Sequence, residues 1–157
     1  MFFIGADIGQ ARDPTAIVIV EAVEAGLNVA HLERLPLGTP YPLVAQRLGL
    51  LYDAAPPPSA LVIDATGVGR PVLDLLRQDG HSPVAVSIIG TGVERLDPED
   101  LIWRVPKKRL MSPLACAIEA GRLSIAPDLP ERETFKTELA AFHRKLNQRA
   151  IRSSAEN

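Results

Sequence analysis

Two aspartates occupy similar positions in this sequence, each at the end of an apolar run and just before glycines. Asp7 ends the run FFIGAD, and Asp64 ends the run ALVID, which continues into ATGVG. Two carboxylates that converge on one point repel each other unless a proton or a cation lies between them. Hard divalent cations such as Mg²⁺ and Mn²⁺ bind one or two carboxylates and keep water or phosphate as further ligands. The pair therefore predicts a metal site, of the two-metal type, suited to hydrolysing phosphodiesters.

Each aspartate also has a simpler interpretation. An aspartate that precedes a glycine at a strand end is often only a turn residue, because its side chain bonds to the local backbone. For Asp7 alone or Asp64 alone, both interpretations stay open. The two residues together favour a site, because the predicted topology makes their strands neighbours.

The chain around these aspartates is predicted to alternate between strands and helices. Apolar and β-branched runs predict five strands, and apolar residues at helical spacing predict four helices. The strands are predicted over 2–7, 15–23, 29–37, 60–64 and 84–89, and the helices over 42–54, 71–78, 106–121 and 131–146. Residues 123–126 read as a short extended piece, and residues 90–103 as a surface loop.

This order of elements predicts an α/β fold with one mixed sheet. Three antiparallel strands come first, parallel strands follow, and helices cover both faces of the sheet. The strand at 60–64 is expected beside the first strand and parallel to it, which brings Asp7 and Asp64 to the same edge. The domain is predicted to span residues 1–146, and the polar segment 147–157 to be a disordered tail.

Composition sets further bounds on the function. A chain of 157 residues with 46% hydrophobic and 23% charged residues can build one core. Aromatic residues make up only 4%, which disfavours stacking platforms for single-stranded nucleic acid. The single cysteine, Cys116, excludes an intrachain disulfide and a cysteine-based metal site. No apolar run approaches the roughly 20 residues of a membrane helix, and no signal peptide is recognised, which predicts a cytoplasmic protein without a membrane partner.

The densest basic cluster consists of Arg104, Lys107, Lys108 and Arg109, at the predicted start of a helix. Such side chains can bind DNA phosphates in a salt-sensitive way, and the N–H groups of a helix start add to the attraction. A solvated basic turn is the alternative. The formal net charge of −2 neither requires nor excludes nucleic acid, because a local basic patch suffices.

Three blocks of the sequence, in this order and spacing, resemble the nuclease domain of the large terminase subunit of tailed phages. They are GADIGQARDPTAIVIV, LVIDATGVGRPVLDLL and VPKKRLMSPLACAIEAGRLSIAP, and the resemblance extends over residues 3–146. It implies an RNase H-like fold and a metal-dependent endonuclease that cuts double-stranded DNA during genome packaging in the host cytoplasm. It also implies that Asp7 and Asp64 hold catalytic Mg²⁺ or Mn²⁺. A separate terminase ATPase, a small subunit and the portal are the implied protein partners.

The sequence departs from that family at two points. It contains no G-x-x-x-x-G-K-[ST] loop, so this chain is not expected to power translocation itself. The family's third acid, on a late helix, has no counterpart, because no aspartate follows Asp128. Glu138 is the candidate substitute ligand, although its spacing also fits a solvated helix face. The departure predicts a truncated or decayed domain, such as a prophage remnant, with weakened metal binding and catalysis.

Several functions therefore stay open at the level of sequence, and whether the chain is an active enzyme is undecided. The first is the terminase-type endonuclease, and the second is a catalytically dead DNA-binding or assembly module that keeps the fold and the basic cluster. The third is a nuclease like the Holliday-junction resolvases, which the opening IGADIG also resembles. A sugar-kinase or actin-like ATPase shares the D-x-G pattern but needs two such domains, for which the chain is too short.

Overall fold

The computed structural model describes the backbone of residues 1–9 and 12–155, and the side chains of these residues except 143 and 145–155. Within this part of the chain, eight strands and four α-helices follow one another. The strands are β1 (Phe2–Asp7), β2 (Ala16–Val23), β3 (Gly26–Arg34), β4 (Ser59–Asp64), β5 (Val84–Ile89), β6 (Arg95–Asp97), β7 (Ile102–Pro106) and β8 (Leu123–Ile125). The helices are α1 (Tyr41–Ala54), α2 (Arg70–Gln78), α3 (Lys107–Glu119) and α4 (Arg132–Ala155).

All eight strands form one mixed sheet in the order β6-β7-β5-β4-β1-β2-β3-β8. Strands β1, β2 and β3 are an antiparallel meander, whereas β4 is parallel to β1, β5 to β4, β7 to β5 and β8 to β3. The predicted fold class is confirmed, including the position of β4 beside β1. Strand β6 adds an antiparallel edge that the sequence did not predict.

The main core lies between one face of the sheet and helices α1 and α2. Ile4 of β1 and Ile63 of β4 are fully buried there, against Val44 and Leu48 of α1 and Leu76 of α2. Central strands beside parallel neighbours are covered by helices, which explains why β1 and β4 are apolar almost throughout. This core fixes the two strands that end in the aspartates.

The opposite face of the sheet borders a cavity of about 470 Å³. Its floor includes Gly5 of β1, Val18 of β2 and Val62 of β4, and its walls include Leu110 of α3 and Phe135 of α4. Helices therefore lie on both faces of the sheet, as predicted. The second face is packed less tightly than the first, and the space between its helices and the strands leads to the edge where β1 and β4 end.

Two local predictions were wrong in their boundaries. Residues 90–103, predicted as a loop, contain β6 and the beginning of β7, which are held by pairing with each other and with β5. Helix α4, predicted to end at residue 146, continues to Ala155 into the segment predicted as a disordered tail, because residues 147–155 contain no glycine or proline that would end a helix. Residues 156 and 157 lie outside the described part, and the domain boundary at residue 146 stays a prediction. No helix among the described residues combines the length and hydrophobicity needed to cross a bilayer.

Candidate metal centre

Asp7 and Asp64 are the last residues of two adjacent parallel strands. Ala6 of β1 is in register with Ile63 of β4, so each aspartate is the next residue after a matched pair. Both line the cavity on the second face of the sheet. The structure places the two aspartates at one edge, as the topology predicts, while their role as metal ligands stays a prediction.

Hydrogen bonds after β4 hold the backbone around Asp64. The carboxylate oxygen Oδ1 of Asp64 accepts a hydrogen bond of 2.8 Å from the N–H of Thr66. The N–H of Ala65 donates to the carbonyl of Val86 at 2.7 Å, and the Thr66 hydroxyl accepts from the N–H of Ile88 at 2.9 Å. Oδ1 of Asp64 therefore forms the hydrogen bond expected of a turn residue. This bond holds the Asp64 side chain at the cavity, so the turn and a binding role are compatible.

A second tight turn follows Asp7. The N–H of Gly9 donates to the hydroxyl of Thr15 at 3.1 Å, and Thr15 is only 3% exposed. A β-carbon at Gly9 would lie 2.0 Å from the carbonyl oxygen of Asp13, so only glycine fits this close approach. The start of β2 is thereby held against the end of β1.

The surroundings of Asp7 disfavour its negative charge. The pKa of Asp7 is raised above its ordinary value, first because protein atoms displace part of its hydration, then because of the negative charges of Asp64 and Asp13. The side chain nevertheless stays accessible at the mouth of the cavity. A group that is reachable from solvent and short of positive neighbours is suited to binding a cation.

Two glutamates face the same cavity from the side of α4. Glu138 in the helix and Glu131 just before it both line the cavity with the aspartates. Glu138, the substitute ligand proposed from sequence, is paired with Arg34 at the end of β3, with 2.7 Å between Nη2 and Oε1. Glu131 and Arg34 were missed, although the seven-residue spacing of the two glutamates would place both on one face of the helix predicted over 131–146.

The donor set fits a hard divalent cation only in part. Asp7 and Asp64 offer carboxylate oxygens, which are ligands suited to Mg²⁺ and Mn²⁺. Across the described residues, no group of three or more histidine, cysteine, aspartate or glutamate side chains is arranged to hold a metal ion. The geometry is therefore that of a two-carboxylate site, with Glu138 nearby but bound to an arginine.

The four basic residues predicted to bind DNA do not form one uniform cluster. Arg104 of β7 binds Asp97 through Nε and Nη2, at 3.0 and 2.8 Å, and Arg109 pairs with Glu94 at 3.3 Å. Lys107 and Lys108 are exposed in the first turn of α3. In the described part of the chain, neither lysine has a carboxylate partner. The charge available to a phosphate is thus mainly that of the two lysines, and their role in DNA binding stays a prediction.

The chain thus has two carboxylates at the ends of adjacent central strands, in a mixed sheet that begins with an antiparallel meander. The family described as the terminase RNaseH-like domain matches residues 4–156, and the chain belongs to that family. The family match extends past residue 146, where the sequence analysis placed the end of the domain.

Solved structures share this fold. The large terminase nuclease from thermophilic phage G20c is similar with a TM-score of 0.60 in its magnesium-bound form and 0.59 in its zinc-bound form, both at 23% identity. These matches cover 82% of this chain and 59% and 64% of the phage chains. The manganese-soaked human cytomegalovirus terminase nuclease domain has a TM-score of 0.51 at 11% identity, covering 81% of this chain and 62% of that one. This chain therefore spans about three fifths of each matched chain, and no curated protein matches it.

Proposed function

We propose that this chain is a metal-dependent endonuclease domain of terminase type, in which Asp7 and Asp64 hold Mg²⁺ or Mn²⁺. The observation that most directly supports this proposal is that two carboxylates end neighbouring central strands. The burial of Asp7, and after it the charge of Asp64, raise the pKa of Asp7. Family membership and the metals named for the similar nucleases support the proposal. The proposed substrate is double-stranded DNA during genome packaging, in the cytoplasm of a host cell.

The residues of the chain have distinct parts in this proposal. When bound, divalent cations supply a means to activate water and to stabilise the leaving oxygen of a phosphodiester. Asp7 and Asp64 hold the cations, and the bond from the Thr66 N–H keeps the Asp64 carboxylate oriented. Lys107 and Lys108 attract the DNA backbone from the start of α3, and the helix N-terminus adds to that attraction.

A catalytically inactive DNA-binding or assembly module is the second candidate. The observation that favours it is that the described residues bring no third carboxylate into a group with Asp7 and Asp64. Loss of a ligand weakens metal binding without disturbing the sheet or the lysines. A packaging ATPase, a small subunit and a portal are proposed partners of either form, because the family belongs to terminases.

Cleavage of supercoiled plasmid distinguishes the two candidates. The parent chain is incubated with Mn²⁺ or Mg²⁺ beside Asp7→Asn, Asp64→Asn and the control Asp74→Asn, whose aspartate is exposed on α2. The endonuclease requires nicking and linearisation by the parent and the control, and none by the two site variants. Folded parent protein that binds DNA in a salt-sensitive way but does not cleave it would contradict the endonuclease and support the module.

A further inference from the structure

Arg34 lies in the same row of the sheet as the two aspartates. Asp7 is in register with Ala16 of β2, and Ala16 is in register with Arg34 of β3. Directly opposed residues of antiparallel strands project from the same face. Neighbouring strands are about 4.8 Å apart, so the Cα of Arg34 is about 10 Å from that of Asp7. Only the methyl group of Ala16 stands between Asp7, whose pKa is raised, and the permanent positive charge of Arg34.

The partner of Arg34 is a carboxylate on the opposite wall of the same cavity. Its guanidinium binds Glu138 of α4 at 2.7 Å, and both side chains are accessible, at 40% and 59%. The hydrogen bond to Glu138, then the charge of Glu138 and lastly that of Glu131, raise the pKa of Arg34. Accessible ion pairs are weak and are easily exchanged for another partner. Arg34 and Glu138 are therefore held together loosely at the border of the acid site.

We propose that Arg34 binds a phosphate of the DNA strand at this site and, by doing so, releases Glu138 to serve as a third carboxylate. The inference rests on the proposed function. A guanidinium binds phosphate through two parallel hydrogen bonds, so a phosphodiester can replace the carboxylate of Glu138 as its partner. The released Glu138 lines the same cavity as Asp7 and Asp64. The site is thus completed when substrate arrives, with Arg34 bound to the phosphate and Glu138 available to the cation.

This exchange links the two ligands of the site. When DNA binds Arg34, Arg34 no longer competes with a cation for Glu138. When a cation binds Glu138, Glu138 no longer competes with DNA for Arg34. Linkage requires the effect to be equal in both directions, so Mn²⁺ and DNA strengthen each other's binding by the same factor. An exposed pair limits that factor to about fivefold.

The first test measures DNA binding without metal, by fluorescence anisotropy of a short duplex in EDTA. Arg34→Gln is expected to weaken binding and to lower the salt slope by about one. Glu138→Gln is expected to tighten binding by up to about fivefold, because it frees Arg34. Glu133→Gln is the matched control, since it removes the same charge from α4 at a pair with Arg132 and Lys136.

The double variant isolates the pair itself. If Arg34 is the cause, Glu138→Gln tightens DNA binding in the parent but not in the Arg34→Gln background. An equal gain from Glu133→Gln, or a gain that persists without Arg34, would overturn the proposal. Both positions are accessible, and circular dichroism of each variant verifies that it is folded.

The second test measures Mn²⁺ binding by electron paramagnetic resonance in the absence of DNA. Arg34→Gln is expected to bind Mn²⁺ about two- to fivefold more tightly than the parent, and Arg34→Gln with Glu138→Gln to lose that gain. Arg109→Gln is the control, because Arg109 pairs with Glu94 at 3.3 Å and neither of these residues lines the cavity. Unchanged Mn²⁺ affinity in Arg34→Gln would overturn the exchange. Loss of Mn²⁺ binding in Asp7→Asn tests the proposed function separately.

Discussion

A β-carbon at Gly69 would lie 1.9 Å from the backbone carbonyl oxygen of Asp64. Gly69 ends the 3₁₀ turn Gly67–Gly69, which leads from β4 into α2. Its φ of −73° is open to any residue, so the requirement for glycine here is one of space and not of backbone conformation. The turn is folded back onto the strand end that carries the acid, and the position of α2 is thereby tied to that of Asp64.

Gly69→Ala is expected to destabilise the protein and to weaken Mn²⁺ binding together. The added methyl group meets backbone, which has to shift, and such overpacking costs about 1–3 kcal/mol. Urea denaturation and Mn²⁺ titration measure the two effects. Gly90→Ala is the matched control, because no atom lies within 4 Å of a β-carbon there. A variant as stable as that control would contradict the close approach.

The raised pKa of Asp7 predicts a pH dependence of stability. Because the folded chain disfavours the ionised carboxylate, the metal-free protein loses stability as pH rises through the pKa of Asp7 in the folded state. Asp7→Asn removes that loss, so it is expected to be more stable than the parent at neutral pH in EDTA. The difference should vanish below the ordinary aspartate value of 3.8. Parallel curves for parent and variant in urea unfolding across this pH range would refute the prediction.

Divalent metal is expected to stabilise the parent chain against heat. A ligand that binds only the folded state at one hundred times its Kd adds about 2.7 kcal/mol to the free energy of unfolding. Mn²⁺ should therefore raise the Tm of the parent and of Asp74→Asn, and leave the Tm of Asp64→Asn unchanged. Differential scanning calorimetry with Mn²⁺ and with EDTA measures this. An equal rise in all three proteins would point to binding elsewhere on the chain.

The lysines and arginines of the basic cluster are expected to behave differently on substitution. Lys107→Gln and Lys108→Gln should each weaken DNA binding and lower the salt slope by about one, because each removes a phosphate contact. Arg104→Gln should instead weaken the pairing of β6 with β7, since Arg104 is occupied by Asp97. Salt-dependent anisotropy and urea unfolding separate the two effects. An equal loss of DNA affinity in all three variants would show that the arginine is also available to DNA.

The elements that carry the acids were predictable because their signals are local. Strands β1 and β4 are apolar runs covered by helices, and the order of strands then brings their ends to one edge. Strands β6 and β7 were missed, because short strands at a sheet edge depend on their partners more than on their own residues.

The sequence also did not predict which charged residues form ion pairs with partners far away in the chain. Arg34 and Glu138 are separated by 104 positions, and no spacing rule relates them. The same holds for Arg104 and Arg109, which look like free basic residues in the sequence but are neutralised by acids from residues 94–97. The chemistry of individual residues could be predicted from the sequence, whereas the pairing of charged residues could not.

Strands β1 and β4, which end in Asp7 and Asp64, are the two middle strands of the eight-stranded sheet. Three further strands lie outside each of them. Local opening of a fold begins where few groups hold a segment, which here means the short outer strands β6 and β8. Amide hydrogens of β1 and β4 should therefore be among the slowest in the chain to exchange with deuterium. The two acids stand on the part of the sheet that opens last, so their alignment outlasts the transient opening of either edge.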